Sequence, residues 1–355
     1  MTTVHVVVPD GVDDPQRPSG GNAYDRQVCG GLADLGWSVL EHAVPGPWPR
    51  PDPSPREALA GVLAGAPDGA VVLLDGLVAS AVPEVLVPEA RRLKLVVLVH
   101  MPRGLEASAA DPDGVCAREQ EVLSAAAAVV TTSRWTRTWL LDHYALRAEL
   151  VGVAEPGVDP ADVAPGTRGG GDLLCVAAVT PVKGHDVLVE ALAAVSDLPW
   201  RCTWVGSLTR DREFVEHLRS RIRECGLEGR VRLMGPLTGL DLHWEYAAAD
   251  ALVLASRAET YGMVVTEALA RGLPVIGTTA GGLPEAVGRA PAGRRPGLLV
   301  PPGDKAALAA ALRCWLLDHG VRRGLRHAAR ERRDSLTGWS ETAGRLERIL
   351  AGVVP

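Results

Sequence analysis

Two carboxylates eight positions apart, Glu259 and Glu267, flank the small-residue turn Tyr261-Gly262-Met263 within the segment Ser256 to Glu285. Val264, Val265, Ala268 and Leu269 recur at helical spacing, which predicts Glu267 on the first turns of a helix and Glu259 in the loop leading into it. An acid on a loop and an acid on a helix can face one cavity at different depths. The amides of Gly262, Met263 and Val264 would be the unpaired donors of that helix N-terminus, a ready site for phosphate. Amides for phosphate and acids for hydroxyls together suit a ligand that carries both.

A cation belongs in such a site, and lysine usage points to one. Of 37 basic residues only Lys94, Lys183 and Lys305 are lysine, so a lysine is kept here where a compact ammonium matters. Lys183 follows the apolar run Leu173 to Val179 and the turn Thr180-Pro181-Val182, which places it at the carboxyl end of a strand, where open α/β sheets bind ligands. Gly206 and Gly235 end the next two apolar runs and are further candidates for close backbone approach to the same ligand, with Met234 beside them. Arg210 and Arg257 also follow strands on this side.

In the first half of the chain, Pro18-Ser19-Gly20-Gly21-Asn22 precedes a helix expected over Ala23 to Leu35. Glycines there admit a ligand close to the backbone, and the helix N-terminus behind them favours an anion. The GxGxxG spacing is absent and no acid ends the next strand in the expected way, which removes the main support for a nicotinamide cofactor. His100 ends the apolar strand Leu95 to Val99 and is followed by Met101-Pro102-Arg103-Gly104, while Ser133 is suited to cap the helix that opens with Arg134.

These residues need a scaffold, and the apolar pattern supplies it. Strands are expected at Val4–Val8, Ser38–Glu41, Ala70–Asp75, Leu95–Val99, Val129–Thr131 and Leu150–Val153, and again at Leu173–Val179, Arg201–Val205, Val231–Met234, Ala251–Ala255, Pro274–Gly277 and Gly297–Val300. Helix-period segments separate them, so the fold class is α/β with two doubly wound parallel sheets. The Pro/Gly-rich stretch Glu155 to Gly171 reads as the linker. The expected domains are 1–160, 161–335 and a C-terminal helical segment, 336–355.

At 355 residues with a net charge of -6, the chain has room for two domains and no bulk charge that suggests nucleic acid. Six cysteines lack any CxxC or Cys/His ligand spacing and read as reduced core residues. MTTVHVVVPD runs straight into a strand, and no apolar run approaches a membrane span, so a soluble, cytoplasmic protein is expected. Arg91-Arg92-Leu93-Lys94 and Arg134 to Trp139 have the residue types of a membrane-docking surface, a contact left possible but not favoured. The run Arg322 to Arg333 mixes both signs and reads as a solvated helix face. Asp111-Pro112-Asp113 sits in a Pro/Gly-rich loop with no strand to orient it, so no metal is expected there.

The Glu-x7-Glu pair, the glycine after the first acid and the Gly-Leu-Pro-Val strand resemble the donor-binding motif of retaining glycosyltransferases of family four, and the likeness extends over most of the chain. The resemblance implies the GT-B fold, two Rossmann-like domains facing across a cleft, with the last helix returning to the first domain. It implies transfer of a hexose from a nucleotide-diphosphate sugar to a hydroxyl, with retention by front-side attack and no cofactor or metal requirement. It makes His100 the group that touches the donor sugar, Glu259 and Glu267 the acceptors of sugar and ribose hydroxyls, and Lys183 with the Gly262, Met263 and Val264 amides the holders of the diphosphate. Gly20 and Gly21 would lie near the donor phosphates, and Asn22, Arg103 and Ser133 on the side of a small-molecule acceptor. One departure stands out: family members usually carry an arginine five positions before the lysine, and here it is Ala178. A sugar-nucleotide epimerase of the same fold and a catalytically silent nucleotide-sugar binder are the alternatives.

Overall fold

The computed structural model describes residues 2–106 and 114–354. Asp111-Pro112-Asp113 lies outside them. The chain divides into two compact units, Met1–Asp13 with Ser19–Gly157 and Gly338–Pro355, and Asp14–Pro18 with Val158–Thr337.

In the first unit the strands are β1 (Thr3–Pro9), β2 (Ser38–Val44), β3 (Val71–Asp75), β4 (Lys94–Val99), β5 (Ala128–Thr131) and β6 (Val151–Val153). They pair in the order β2-β1-β3-β4-β5-β6, every pairing parallel. In the second unit β7 (Asp172–Val176), β8 (Arg201–Val205), β9 (Val231–Gly235), β10 (Ala251–Leu254), β11 (Val275–Thr278) and β12 (Gly297–Val300) pair in the order β12-β11-β10-β7-β8-β9, again all parallel. Parallel strands covered by helices on both faces are apolar along their whole length, which is why the central strands are visible as short Val/Leu-rich runs, whereas the edge strand β2 is mixed in sequence and largely unburied. All five residues of β3 and all four of β10 are buried.

The winding direction reverses between β1 and β3 in the first sheet and between β7 and β10 in the second. In open α/β sheets the crevice at the carboxyl ends of such strands is where ligands bind.

Several local expectations need correction. The first helix spans Gly20–Asp34, so the glycine pair forms its first turn rather than preceding it; Ser19 is the cap, its Oγ accepting from Asn22 N at 3.1 Å. β7 stops at Val176 because the chain beyond it follows the end of β8, with Val179 N bonded to Ser207 O at 2.9 Å. The helix His319–Arg333 is not simply a solvated face. Arg322 is buried and donates to Trp315 O and Leu316 O, Arg326 pairs with the fully buried Asp250, and Arg333 donates to Ala161 O and Ala270 O. Asp250 also accepts from Thr167 N and Oγ1 and from Asp172 N, so the linker, poor in apolar side chains, is held by a charged clamp instead.

The two candidate membrane-facing segments are likewise committed internally. Arg92 donates to Leu63 O and Ala66 O, and Arg137 to Ala148 O and Val151 O. Among the described residues no helix is long and apolar enough to cross a membrane. All six cysteines are free; Cys175 and Cys202 are buried, whereas Cys314 is exposed and not a core residue. The C-terminal helix Trp339–Ala351 packs in the first unit, where a Cβ on Gly31 would lie 2.5 Å from Ala343 Cβ, so glycine permits the close approach.

Candidate functional site

In the second unit, the turn after β7 and the loop after β10 meet over the reversal point of the sheet. Pro181–Lys183 forms a single 3-10 turn that ends at Gly184, whose φ is +67°. A Cβ on Gly184 would lie 2.0 Å from Ala255 O, so glycine lets the turn close on the end of β10. Arg257 N donates to Val182 O at 2.8 Å, and the Arg257 guanidinium forks onto Asp186 at 2.7 and 2.6 Å. These bonds bring Lys183 Nζ to 2.6 Å from Glu259 Oε2, with both side chains largely shielded.

The Glu259 loop is clamped from its other side by Gly281-Gly282. Gly282 N donates to Glu259 O at 2.8 Å, and Cβ atoms on Gly281 and Gly282 would lie 1.9 Å from Glu259 O and 2.1 Å from Thr260 O. The glycine pair is the other half of the site that sequence spacing did not single out; its signal was two adjacent glycines in the short loop after a strand.

Gly262, at φ +91°, opens the helix Met263–Ala270 with no side-chain cap, which leaves the N-terminus to amides alone. Glu267 projects from that helix and accepts from the Tyr246 hydroxyl at 2.7 Å. Burial raises the Glu267 carboxyl above its usual range, against the opposing Tyr246 hydrogen bond and the Arg271 charge. Gly206, at φ +152°, would place a Cβ 2.0 Å from Ala177 O, and Gly206 N donates to Gly235 O at 2.9 Å. Both glycines therefore shape the rim at the ends of β7, β8 and β9. Behind the lysine, His185 is fully buried beside Cys175 Sγ at 3.7 Å and against the edge of Trp204. Burial, then the Lys183 charge, pushes its pKa down to about 3, so it is a neutral packing group.

Arg257 does not fill the role left by Ala178 as an uncommitted cation, because its guanidinium is taken by Asp186 and Pro181 O. Arg210 is exposed on the loop after β8.

In the first unit a second cluster forms where β1, β3 and β4 end. His100 Nε2 lies 2.8 Å from Asp25 Oδ1, on the helix after β1, and Asp75 ends β3 and accepts from Leu77 N at 2.7 Å. Gly21 lies against the same ring: a Cβ there would be 3.1 Å from His100 Cδ2. Burial lowers the His100 pKa, but the charge and hydrogen bond of Asp25 and the charge of Asp75 outweigh it and bring the value up to about 9. Burial, then the Asp25 charge, pushes Asp75 up to about 6. Ligand-type atoms of Asp25, Asp75 and His100 all lie within 4.8 Å of one another, a spacing that admits a shared proton or a cation.

Arg103 and Gly104 are held by their backbone: their amides donate to the two oxygens of the buried Glu119, which also accepts from the Tyr144 hydroxyl at 2.6 Å and the Ser80 hydroxyl at 3.1 Å. Ser133 is fully buried, its Oγ accepting from Thr136 N at 2.9 Å, so it serves as the helix cap and not as an acceptor-side surface. Asn22 sits in the first turn of its helix. Asp25, Asp75 and Glu119 are polar residues that sequence spacing did not single out. Asp25 had a signal: it shares the buried helix face with Tyr24, Val28 and Leu32, where an acid needs a partner.

Residues 170–318 match the family described as Glycosyl transferases group 1. The chain is 33% identical over 261 residues to a D-inositol 3-phosphate glycosyltransferase of Kineococcus radiotolerans, covering 67% of this chain and 60% of the relative. A protein of the same name from Corynebacterium diphtheriae is 29% identical over 286 residues, covering 73% and 66%. The chain thus spans about three fifths of the length of the first of these curated relatives. Among solved structures, sucrose-phosphate synthase from Thermosynechococcus elongatus superposes with a TM-score of 0.77 at 23% identity, covering 99% of this chain and all of the other. HepE from Anabaena, solved with UDP-glucose, also gives 0.77, at 18% identity with the same coverage. The chain has the GT-B fold, and its residues 170–318 carry a glycosyl transferases group 1 domain.

Proposed function

We propose that this protein transfers a sugar, with retention, from a nucleotide-diphosphate sugar to a hydroxyl of a small-molecule acceptor. The observation that carries the reading is the 2.6 Å pairing of Lys183 with Glu259 over the reversal point of the second sheet, beside the uncapped helix start at Gly262. In the donor complex the Lys183 ammonium and the Gly262, Met263 and Val264 amides bind the diphosphate, so Lys183 exchanges a carboxylate partner for phosphate oxygens. Glu259 is thereby released to accept from a sugar hydroxyl, and Glu267, steadied by Tyr246, accepts from the ribose.

Bond breaking builds charge on the leaving diphosphate. Fixed donors aimed at that oxygen lower the barrier, and each is worth on the order of 3 kcal/mol. Lys183 supplies this charge as a side chain, so turnover is expected to persist in chelator. His100 serves the sugar side of the reaction, and the loop held by Glu119 the acceptor.

The donor reading is supported by a fold neighbour solved with UDP-glucose, and a polyol acceptor by relatives named for inositol 3-phosphate. These names speak of transfer, so transfer is preferred to epimerisation. The test is thermal stabilisation by a panel of nucleotide sugars, followed by product analysis with donor alone and with donor plus polyol phosphates. A new sugar nucleotide from donor alone would replace transferase with epimerase, and no stabilisation by any nucleotide would remove the donor site.

A further inference from the structure

The first unit buries more acid around its histidine than a single hydrogen bond requires. Asp25 is 3% exposed, its Oδ1 lies 2.8 Å from His100 Nε2, and its Oδ2 is buried with no partner among the described residues. The ring itself is boxed in. Gly21 leaves only enough room for its face, and the Tyr24 ring meets it edge-on with centroids 5.3 Å apart. Tyr24 is in turn fixed by its hydroxyl, which donates to Ala154 O at 2.8 Å. With Nε2 committed to Asp25, Nδ1 is the one ring nitrogen left to meet a ligand.

We propose that Asp25 is a positioning residue for His100: it fixes the ring through Nε2 and holds the imidazole as a cation, so that Nδ1 presents an N–H donor to an oxygen of the reacting sugar. A neutral ring could place its single proton on either nitrogen, and a ligand meeting Nδ1 would find a donor or an acceptor depending on tautomer. Asp25 removes the choice. The chemical consequence is that this position recognises an acceptor oxygen, as in a hydroxyl or a developing oxyanion, and rejects an N–H at the same place.

The surrounding charges favour the arrangement. Asp75 faces the ring from the end of β3 and adds a second acid, itself drawn toward protonation. Tyr24 and Cys29 on the Asp25 helix are kept neutral by burial, and Arg345 acts on Tyr24 from the C-terminal helix. Against the burial that disfavours it, the charge and hydrogen bond of Asp25 and the charge of Asp75 bring the ring pKa up to about 9.

The proposal rests on the transferase reading for its purpose, and its test separates the two. The full chain labelled with ¹⁵N-histidine is titrated by NMR, with His100→Gln assigning the signal. Wild-type His100 is expected doubly protonated at pH 7.5, and in Asp25→Asn its midpoint should fall by more than one pH unit. The alkaline limb of kcat/KM should move down by the same amount, and Asp25→Glu should restore part of it. If Asp25→Asn fails to fold, Asp75→Asn is read instead and should lower the midpoint by a smaller step. A neutral wild-type ring at pH 7.5, or an unmoved midpoint in Asp25→Asn, overturns the proposal. So would Mn²⁺ or Zn²⁺ alone raising the melting temperature of wild type but not of Asp25→Asn, since an ion would then hold the place of the proton. Absence of transfer with every donor, alongside the expected titration, would sink the transferase reading and leave the positioning role supported.

Discussion

Each sheet gathers its polar residues over the strands where its winding reverses, yet the two gatherings hold histidine in opposite charge states. His100, at the end of β4, faces Asp25 and Asp75 and is drawn up to about 9; His185, opening the helix after the β7 turn, faces Lys183 and is pushed down to about 3. Both are shielded from water, which by itself disfavours the imidazolium in each. The difference is the sign of the neighbouring charge: beside His100 two acids outweigh burial and favour the cation, and beside His185 the lysine adds to burial and leaves the ring neutral. The second unit has already placed its cation in Lys183, so its histidine is free to pack.

The largest expected effect breaks the cation of the second unit. Lys183→Ala should lower kcat by about 100-fold or more, the usual result of deleting one donor at a developing oxyanion. Lys183 lies on a surface turn and its neighbour His185 is already neutral, so the variant should still fold. Steady-state transfer assays and circular dichroism check this; near-wild-type turnover would mean that the diphosphate is held elsewhere.

Gly281→Ala tests the other side of the same loop. A Cβ 1.9 Å from Glu259 O, at a φ of +53°, must displace the loop or strain the backbone. The expected cost is about 4 kcal/mol, from strain and overpacking together. Chemical denaturation reads the loss, and an unaltered midpoint would show that the loop is not clamped by the glycine pair.

How far these clusters were legible follows from their geometry. The strands were visible because a buried parallel strand is apolar throughout, and Lys183, His100 and Glu259 because each stands at a strand end or in the loop beyond it. Asp25 was not, since one acid in a helical pattern acquires meaning only once strand order brings it to β4. The arginines of His319–Arg333 misled for a related reason: alternating charge suits a solvated face equally well as a set of clamps reaching Asp250, Trp315 O and Ala270 O. Arg-rich composition hides such clamps, because arginine serves here for surface charge and for backbone capping alike.

pH separates the two histidines next. The folded pKa of His100 lies above its ordinary 6.5, so its contribution is fully present below 6.5 and is lost as pH rises through about 9. That of His185 lies below 6.5, so its contribution is present above 6.5 and is lost as pH falls toward about 3. Each loss is on the order of 3 kcal/mol by pH 9.5 and pH 4 respectively. Amide exchange should therefore quicken along β4 on the alkaline side and along Val187–Leu192 on the acid side. Equal quickening of both segments in either direction would erase the contrast.

The smallest effect concerns the position where the resemblance implies arginine and the chain has Ala178. Arg257→Ala removes a half-exposed ion pair with Asp186, worth roughly 0 to 1 kcal/mol of stability. Because the guanidinium already forks onto Asp186 and donates to Pro181 O, its work is to seat the Lys183 turn and not to hold phosphate. Donor affinity, measured by calorimetry, should then weaken only severalfold, well short of the Lys183→Ala loss. A loss as large as that of Lys183 would mean that donor binding pulls Arg257 off Asp186 and recruits it as the second cation, making the second unit's charge a switched arrangement where the first unit's is fixed.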